Sequence, residues 1–314
     1  MLNDETSGAS TRRAFAKYGG AVALGGLLAG CTGGESDSPA DDAEGSGPSD
    51  DGSGGSSGEP DETGDGSYTA SISPTGEVTF ESPPETVFTR LTHHAGMAFA
   101  LGKGEGVTAL HAPDYYDGLW NQFVERLPGV SLDWSGLYSS WQPDKEKLYE
   151  LDSDVHLADP AWITRQDAWS RDDIDEIGER VSPWFGNSLS DRHQEPTGEW
   201  ADGYQYYGLW EQFEIVADAF RERERYEALA TVREDLLATI DERLPPESER
   251  PTAIMVAAAD IEQIYAYTLS NPGFLTSHTR PLGPRDAFEG SVDSGTVVDF
   301  ETILEADPDV ILYL

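Results

Sequence analysis

Four of the six histidines, His93, His94, His111 and His278, stand among aromatic residues at places where short apolar runs end. Imidazole and phenolate both ligate iron or zinc, and aromatic planes receive flat, partly apolar chelates. Tyr115 and Tyr116 follow His111. Tyr138 and Trp141 come next, then Trp162 with Arg165. In the second half Tyr267 and Arg280 flank His278. Arginine and histidine suit the anionic groups of such a chelate. Spacings that seat a metal, such as His-x-x-x-His on a helix, are absent. His93 and His94 sit on a strand-like segment, where neighbours point to opposite faces, so one of them at most faces a shared site. Tyr115 and Tyr116 meet the same restriction. Contact with a bound ligand is therefore one reading of these residues, and direct metal ligation a sharper alternative. Any one of these aromatics could equally be packing in a core or rim.

A second set of residues is defined by repetition. Asp144, Glu146, Glu150, Asp152, Asp154 and Val155 recur as Asp299, Glu301, Glu305, Asp307, Asp309 and Val310. The period is far too long for a solenoid. A unit that occurs twice, half a chain apart, implies two lobes of similar build. Each copy reads as a short helix running into a strand.

The elements that must position these residues alternate. Val78–Phe80, Val87–Leu91 and Val107–Leu110 read as strands, with helices over 95–101 and 119–127. Such alternation predicts an α/β domain with a largely parallel sheet. Leu209 to Phe220 and then Arg221 to Leu244 carry helical periodicity, and Pro245-Pro246 ends it. About 22 residues at 1.5 Å each make a rod of about 33 Å, long enough to join two lobes. Thr252–Ala257 reads as a buried parallel strand.

The chain opens on an address. Arg12-Arg13 precedes an uncharged run from Tyr18 to Gly30, then Leu28-Ala29-Gly30-Cys31. A twin arginine, a short apolar segment and a lipobox in that order predict a Tat-type secretion signal over 1–31, with lipid attached at Cys31. The run is shorter than the ~20 residues that cross a bilayer. Residues 32–67 are Gly, Ser, Asp, Glu, Pro and Thr almost throughout, which predicts a disordered acidic linker.

Composition excludes some functions. There are 59 acidic and 20 basic residues, a net charge of -39, which repels nucleic acid. Yet 38% of residues are hydrophobic and eight are Trp, so a core is expected. A folded chain this acidic fits a solvent of concentrated salt, where the Debye length is about 3 Å and self-repulsion is screened. The single cysteine allows no disulfide within the chain.

From about Val78 onward the chain resembles the ferric-siderophore and vitamin B12 class of ABC-transporter substrate-binding proteins, of a haloarchaeal-like lipoprotein type. The motifs are Pro83 to Leu91 followed by Ala100-Leu101-Gly102, Pro143-Asp144-Lys145-Glu146-Lys147-Leu148 leading to Asp152-Ser153-Asp154-Val155, and Glu301 leading to Asp307-Pro308-Asp309-Val310-Ile311. The resemblance implies two Rossmann-like lobes, over 68–205 and 247–314, joined by a helical connection over 206–246. A ligand cleft lies between them. It implies that Glu146 and Glu301 dock on arginines of a membrane permease, which works with an ATPase. It implies an extracytoplasmic monomer on the outer face of the membrane that binds an iron(III) siderophore, haem or cobalamin without altering it, and no cofactor. The chain departs from the pattern at His156 and by ending inside a strand, at Val310–Leu314, which predicts an incomplete second lobe.

Three alternatives stand beside this. One is a lipoprotein for zinc, manganese or bare ferric ion. Another is a metal-dependent hydrolase using His93, His94, His111 and Asp114. The last is a structural surface lipoprotein, against which the repeat argues. No nucleophile elbow, phosphate loop or His-Glu-x-x-His motif occurs to support an enzyme.

Overall fold

A computed structural model describes residues 66–260 and 263–314. The expected signal, its lipidation site Cys31, and the linker as far as residue 65 lie outside the described residues.

A hairpin comes first. β1 (Tyr68–Ile72) pairs antiparallel with β2 (Gly76–Phe80), with Tyr68 opposite Phe80. Tyr68, Ile72, Val78 and Phe80 turn inward at period two and enter the first core cluster. The Tyr68 hydroxyl donates to the Ala219 carbonyl at 2.6 Å, which ties the hairpin to a helix far along the chain.

The first lobe then alternates strand and helix. In order come β3 (Val87–Thr89), α1 (Thr92–Ala100), β4 (Val107–Leu110), α2 (Pro113–Val124), β5 (Tyr138–Ser139), α3 (Lys145–Leu151) and β6 (Val155–Leu157). The four strands form one parallel sheet in the order β5-β4-β3-β6. β3 is central and buried at every residue, as a strand covered by helices on both faces must be. Two short helices, α4 (Pro160–Ile163) and α5 (Arg171–Arg180), complete the lobe. Ser170 and Asp173 start α5 as a reciprocal capping box.

The connection is α6 (Leu209–Ala219) followed by α7 (Arg223–Asp241). The expected rod is thus 19 residues, or about 28 Å. It is interrupted before Arg223, where Arg221 takes a positive φ of 55°. The break falls where the two periodic runs, Leu209 to Phe220 and Arg221 to Leu244, meet.

The second lobe holds β7 (Thr252–Asp260), β8 (Gln263–Tyr267), β9 (Arg285–Asp286), β10 (Thr296–Val298), α8 (Phe300–Ala306) and β11 (Val310–Tyr313). β7 pairs parallel with β11 and β9 and antiparallel with β8, which pairs antiparallel with β10. The architecture is α/β in both lobes, with a parallel sheet in the first and a mixed one in the second.

The sequence repeat is a repeat in space. Asp144 caps α3 by accepting from the Glu146 and Lys147 amides, and Asp299 caps α8 by accepting from Thr302 N. Both helices end on an aspartate in the left-handed region, Asp152 at φ 45° and Asp307 at φ 43°.

The lobes touch along one seam. Asn271 Nδ2 donates to the Arg192 carbonyl at 3.2 Å, and Ser294 Oγ meets His193 Nδ1 at 3.2 Å. Gly273 lies so close to the first lobe that a Cβ there would stand 1.8 Å from the Asp191 carbonyl oxygen.

Candidate functional site

In open parallel sheets ligands gather beyond the carboxyl ends of the strands. In the first lobe those ends carry a continuous stack. The Arg90 guanidinium follows β3 directly. Its carbon lies 3.4 Å from the ring centroid of Trp162 and 4.2 Å from that of Trp141. Trp141, just past β5, stacks on His111 at 4.4 Å and 30°. His111, just past β4, meets Tyr116 at 5.7 Å, and Tyr116 meets Tyr115 edge-on at 5.1 Å. Residues from four segments thus form one ladder: Trp162, Arg90, Trp141, His111, Tyr116, Tyr115.

Local structure explains the placement. Pro113 occupies the first turn of α2, where its missing N–H is no loss. That start carries Tyr115 and Tyr116 on the first turn of a helix rather than on a loop. Trp162 is held by α4, whose N-cap Asp159 is buried. Asp159 accepts from Ala161 N at 2.8 Å, Ser188 N at 2.8 Å, Leu189 N at 3.1 Å and the Tyr204 hydroxyl at 2.5 Å. Burial raises its pKa against the pull of those four donors.

The electrostatics of the ladder are one-sided. Arg90 is 1% exposed. Its Nη2 donates to the Trp141 carbonyl at 3.2 Å, and its Nε has no partner. Burial pulls its pKa down to about 9. His111 is lowered by burial and then by the Arg90 charge. Trp141 stays 48% exposed and Tyr115 65%, so the outer rungs are open to solvent.

His93 and His94 are placed differently from the expectation. They lie on the first turn of α1, not on a strand, and their rings are 3.9 Å apart instead of on opposite faces. The helix begins early because the chain turns immediately after Leu91. His94 is fully buried, and its Nε2 bonds Gln212 Oε1 at 2.8 Å. Gln212 Nε2 in turn donates to the Asn187 carbonyl. This fixes Oε1 as the acceptor and puts the His94 proton on Nε2. His94 is therefore an interior brace between α1 and α6. His93 packs on Phe274 of the second lobe at 4.4 Å and borders an apolar cavity of about 310 Å³ with Met97, Trp120, Trp210 and Phe213.

The other expected contacts do not join the ladder. Tyr138 accepts from the Asp144 amide at 3.0 Å and packs against the buried cluster that holds Phe88, Leu148 and Trp169. Arg165 donates to the Glu195 carbonyl at 2.8 Å. Tyr267 packs edge-on to His193 at 4.8 Å. Arg280 Nη1 donates to the carbonyls of Asn271 and Gly273 at 3.0 and 2.5 Å and to Thr276 Oγ1, so it staples its own loop. His278 is exposed. Among the described residues no ring contact or hydrogen bond links Tyr267, His278 or Arg280 to the ladder.

Arg90 was not among the expected contacts. It was read as part of a strand running to Leu91, yet it is the first residue after β3, where the carboxyl-end rule points.

Among the described residues no three His, Cys, Asp or Glu side chains are grouped to hold a metal ion. Glu146 and Glu301 are both exposed, each in the first turn of its helix. A broad polar hollow of about 870 Å³ adjoins Glu146, Lys145, Arg165 and Asp167. It exceeds the apolar cavity in volume, but its charges of both signs offset one another, whereas the ladder carries a lone buried cation.

A family model described as periplasmic binding protein matches residues 136–314. No match is found among curated proteins. Among solved structures, the iron uptake ABC transporter substrate-binding protein PiuA from Streptococcus pneumoniae is 18% identical, with a TM-score of 0.54 over 78% of this chain and 76% of that one. The petrobactin-binding protein YclQ from Bacillus subtilis is 14% identical, with a TM-score of 0.53 over 79% and 77%. The siderophore-binding protein BauB, bound to ferric iron with two molecules of acinetobactin, is 15% identical, with a TM-score of 0.51 over 79% and 76%. These likenesses establish a shared fold.

Proposed function

The chain belongs to the periplasmic binding protein family, and from that premise we propose that it is the extracytoplasmic solute-binding lipoprotein of an ABC importer for an iron(III) siderophore or related chelate. The observation that carries the cargo reading is the stack of Trp162, Arg90, Trp141 and His111. Flat, partly apolar, anionic cargo stacks on exposed indole and imidazole and is drawn by the positive charge beneath them. Haem and cobalamin are planar macrocycles and would use the same platform.

Cargo names among structurally similar proteins support the choice. They include iron uptake, petrobactin, and acinetobactin with ferric iron. The protein's task is capture and release, with no bond of the cargo made or broken. Release falls to the permease and its ATPase, on which Glu146 and Glu301 dock. Carboxylate–guanidinium pairs are directional, so one from each lobe sets the orientation. The hollow beside Glu146 gives an incoming arginine room to enter. A lipid on Cys31 holds the protein to the outer face of the membrane, and the acidic surface suits molar salt.

Titration with a panel of ferric chelates in molar salt, followed by tryptophan fluorescence, tests the reading. Saturable quenching by at least one chelate at micromolar concentration is expected. A linear response to every chelate would overturn it.

A further inference from the structure

We infer that the junction of β3 and α1 holds a buried anion site built on the Arg90 guanidinium, filled by a halide in the unloaded protein and by an anionic oxygen of the chelate in the loaded one. The second half of this statement rests on the cargo reading above; the first half does not.

Arg90 is 1% exposed, and no carboxylate lies within ion-pair distance of it among the described residues. The chain has 59 acidic residues, so the absence of one here is informative. A buried cation without a counter-charge is strongly destabilising, and native proteins pair such groups. Trp162 and Trp141 flank the guanidinium carbon at 3.4 and 4.2 Å, with their ring centroids 6.2 Å apart and tilted by 50°. The N–H edge of the guanidinium is the part that recognises anionic oxygens and halides. The edge is not saturated, because Nε lacks any partner.

One neighbour agrees in sign. α1 starts two residues after Arg90. Its N-cap, Leu91, has no side-chain acceptor, and its first turn has no acidic residue. The positive end of the helix is left without a protein counter-charge, which favours an anion nearby. Trp141 is 48% exposed and stands between Arg90 and solvent.

The test uses the full chain at constant high ionic strength, with potassium sulfate as the bulk salt and bromide as the probe. Bromide quenches indole fluorescence and is visible by anomalous scattering in soaked crystals. We expect saturable quenching that corresponds to one site, with a bromine peak at Arg90. Arg90→Lys, which keeps the charge but loses the planar fork, weakens bromide at least tenfold, and Arg90→Met abolishes the saturable phase. A tricatecholate ferric complex of net charge -3 should compete with bromide and lose at least a hundredfold in affinity in Arg90→Met. A neutral ferric trihydroxamate should lose less than threefold. Linear bromide quenching in the wild type, identical in both variants, overturns the site. Equal losses for the two chelates overturn its role in choosing cargo. Bromide binding as expected with no chelate bound leaves the anion site standing and removes the cargo reading. Chelate binding without a bromide site does the reverse. Should Arg90→Met fail to fold, Arg90→Lys and the wild-type competition still decide.

Discussion

Asp154 and Thr86 close a ring of hydrogen bonds between the start of β6 and the start of β3. Asp154 Oδ2 accepts from Thr86 N at 2.8 Å, and Thr86 Oγ1 accepts from Asp154 N at 3.0 Å. Asp309 and Thr252 do the same in the second lobe, at 2.8 and 3.1 Å. Each pair pins the entry of one strand to the entry of its parallel neighbour. Asp154→Ala and Asp309→Ala should each lower the unfolding midpoint modestly, because backbone donors lose a charged acceptor at an exposed site that water can partly replace. The sites lie in different lobes, so the double variant should show nearly the sum. Denaturant unfolding in molar salt measures both.

The ladder predicts cargo affinity. Trp141→Ala removes one wall of Arg90 and the partner of His111, and should weaken chelate binding by about tenfold, the size of one stacking or cation–π contact. Trp162→Ala should cost at least as much, since Trp162 makes the shorter contact with Arg90. Calorimetric titration is the readout, because both variants alter the fluorescence.

Acid should unfold the protein early. His94 and His156 are fully buried, and burial holds each at about 4 against an ordinary 6.5. His193 is likewise held at about 4 by burial. A depressed histidine binds its proton more readily in the unfolded chain. Its contribution is therefore complete above 6.5 and is lost as pH falls from 6.5 toward 4, at up to about 1.4 kcal/mol per pH unit per group. Asp191 works the other way. Burial lifts it to about 6, so it takes up a proton more readily when folded and offsets one histidine below that pH. The net slope between pH 6.5 and 5 still favours unfolding. His156→Phe, flanked by Phe88 and Trp184, should flatten that slope relative to wild type. Melting temperatures against pH for both proteins would show it, and parallel curves would contradict it.

Docking predicts a separation of effects. Glu146→Gln and Glu301→Gln leave chelate affinity unchanged, since neither residue touches the ladder. In liposomes carrying the permease and ATPase, each should lower chelate-stimulated ATP hydrolysis by about tenfold, the size of one charge-assisted pair.

Much of this was legible in the sequence, for local reasons. The duplicated Asp-x-Glu…Asp-x-Asp pattern carries its own caps and turns, so it announces two similar lobes without tertiary help. The start of α1 was not legible, because Leu91 offers none of the usual capping side chains; His93 and His94 were consequently placed on a strand. β1 went unread because Thr69, Ala70 and Ser71 are weak signals that depend on pairing with β2. Tyr267, expected where an apolar run ends, lies on β8 itself, whose assignment depends on antiparallel pairing with β7. Arg90 was passed over because a charge at the end of a strand is ordinarily solvated; only the two indoles from distant segments bury it.

Gly273 has a consequence for the seam. Its backbone presses on the Asp191 carbonyl with no space for even a methyl group. Gly273→Ala would act as a shim: the added carbon must part the two segments, while the ladder, which lies wholly in the first lobe, loses none of its own side chains.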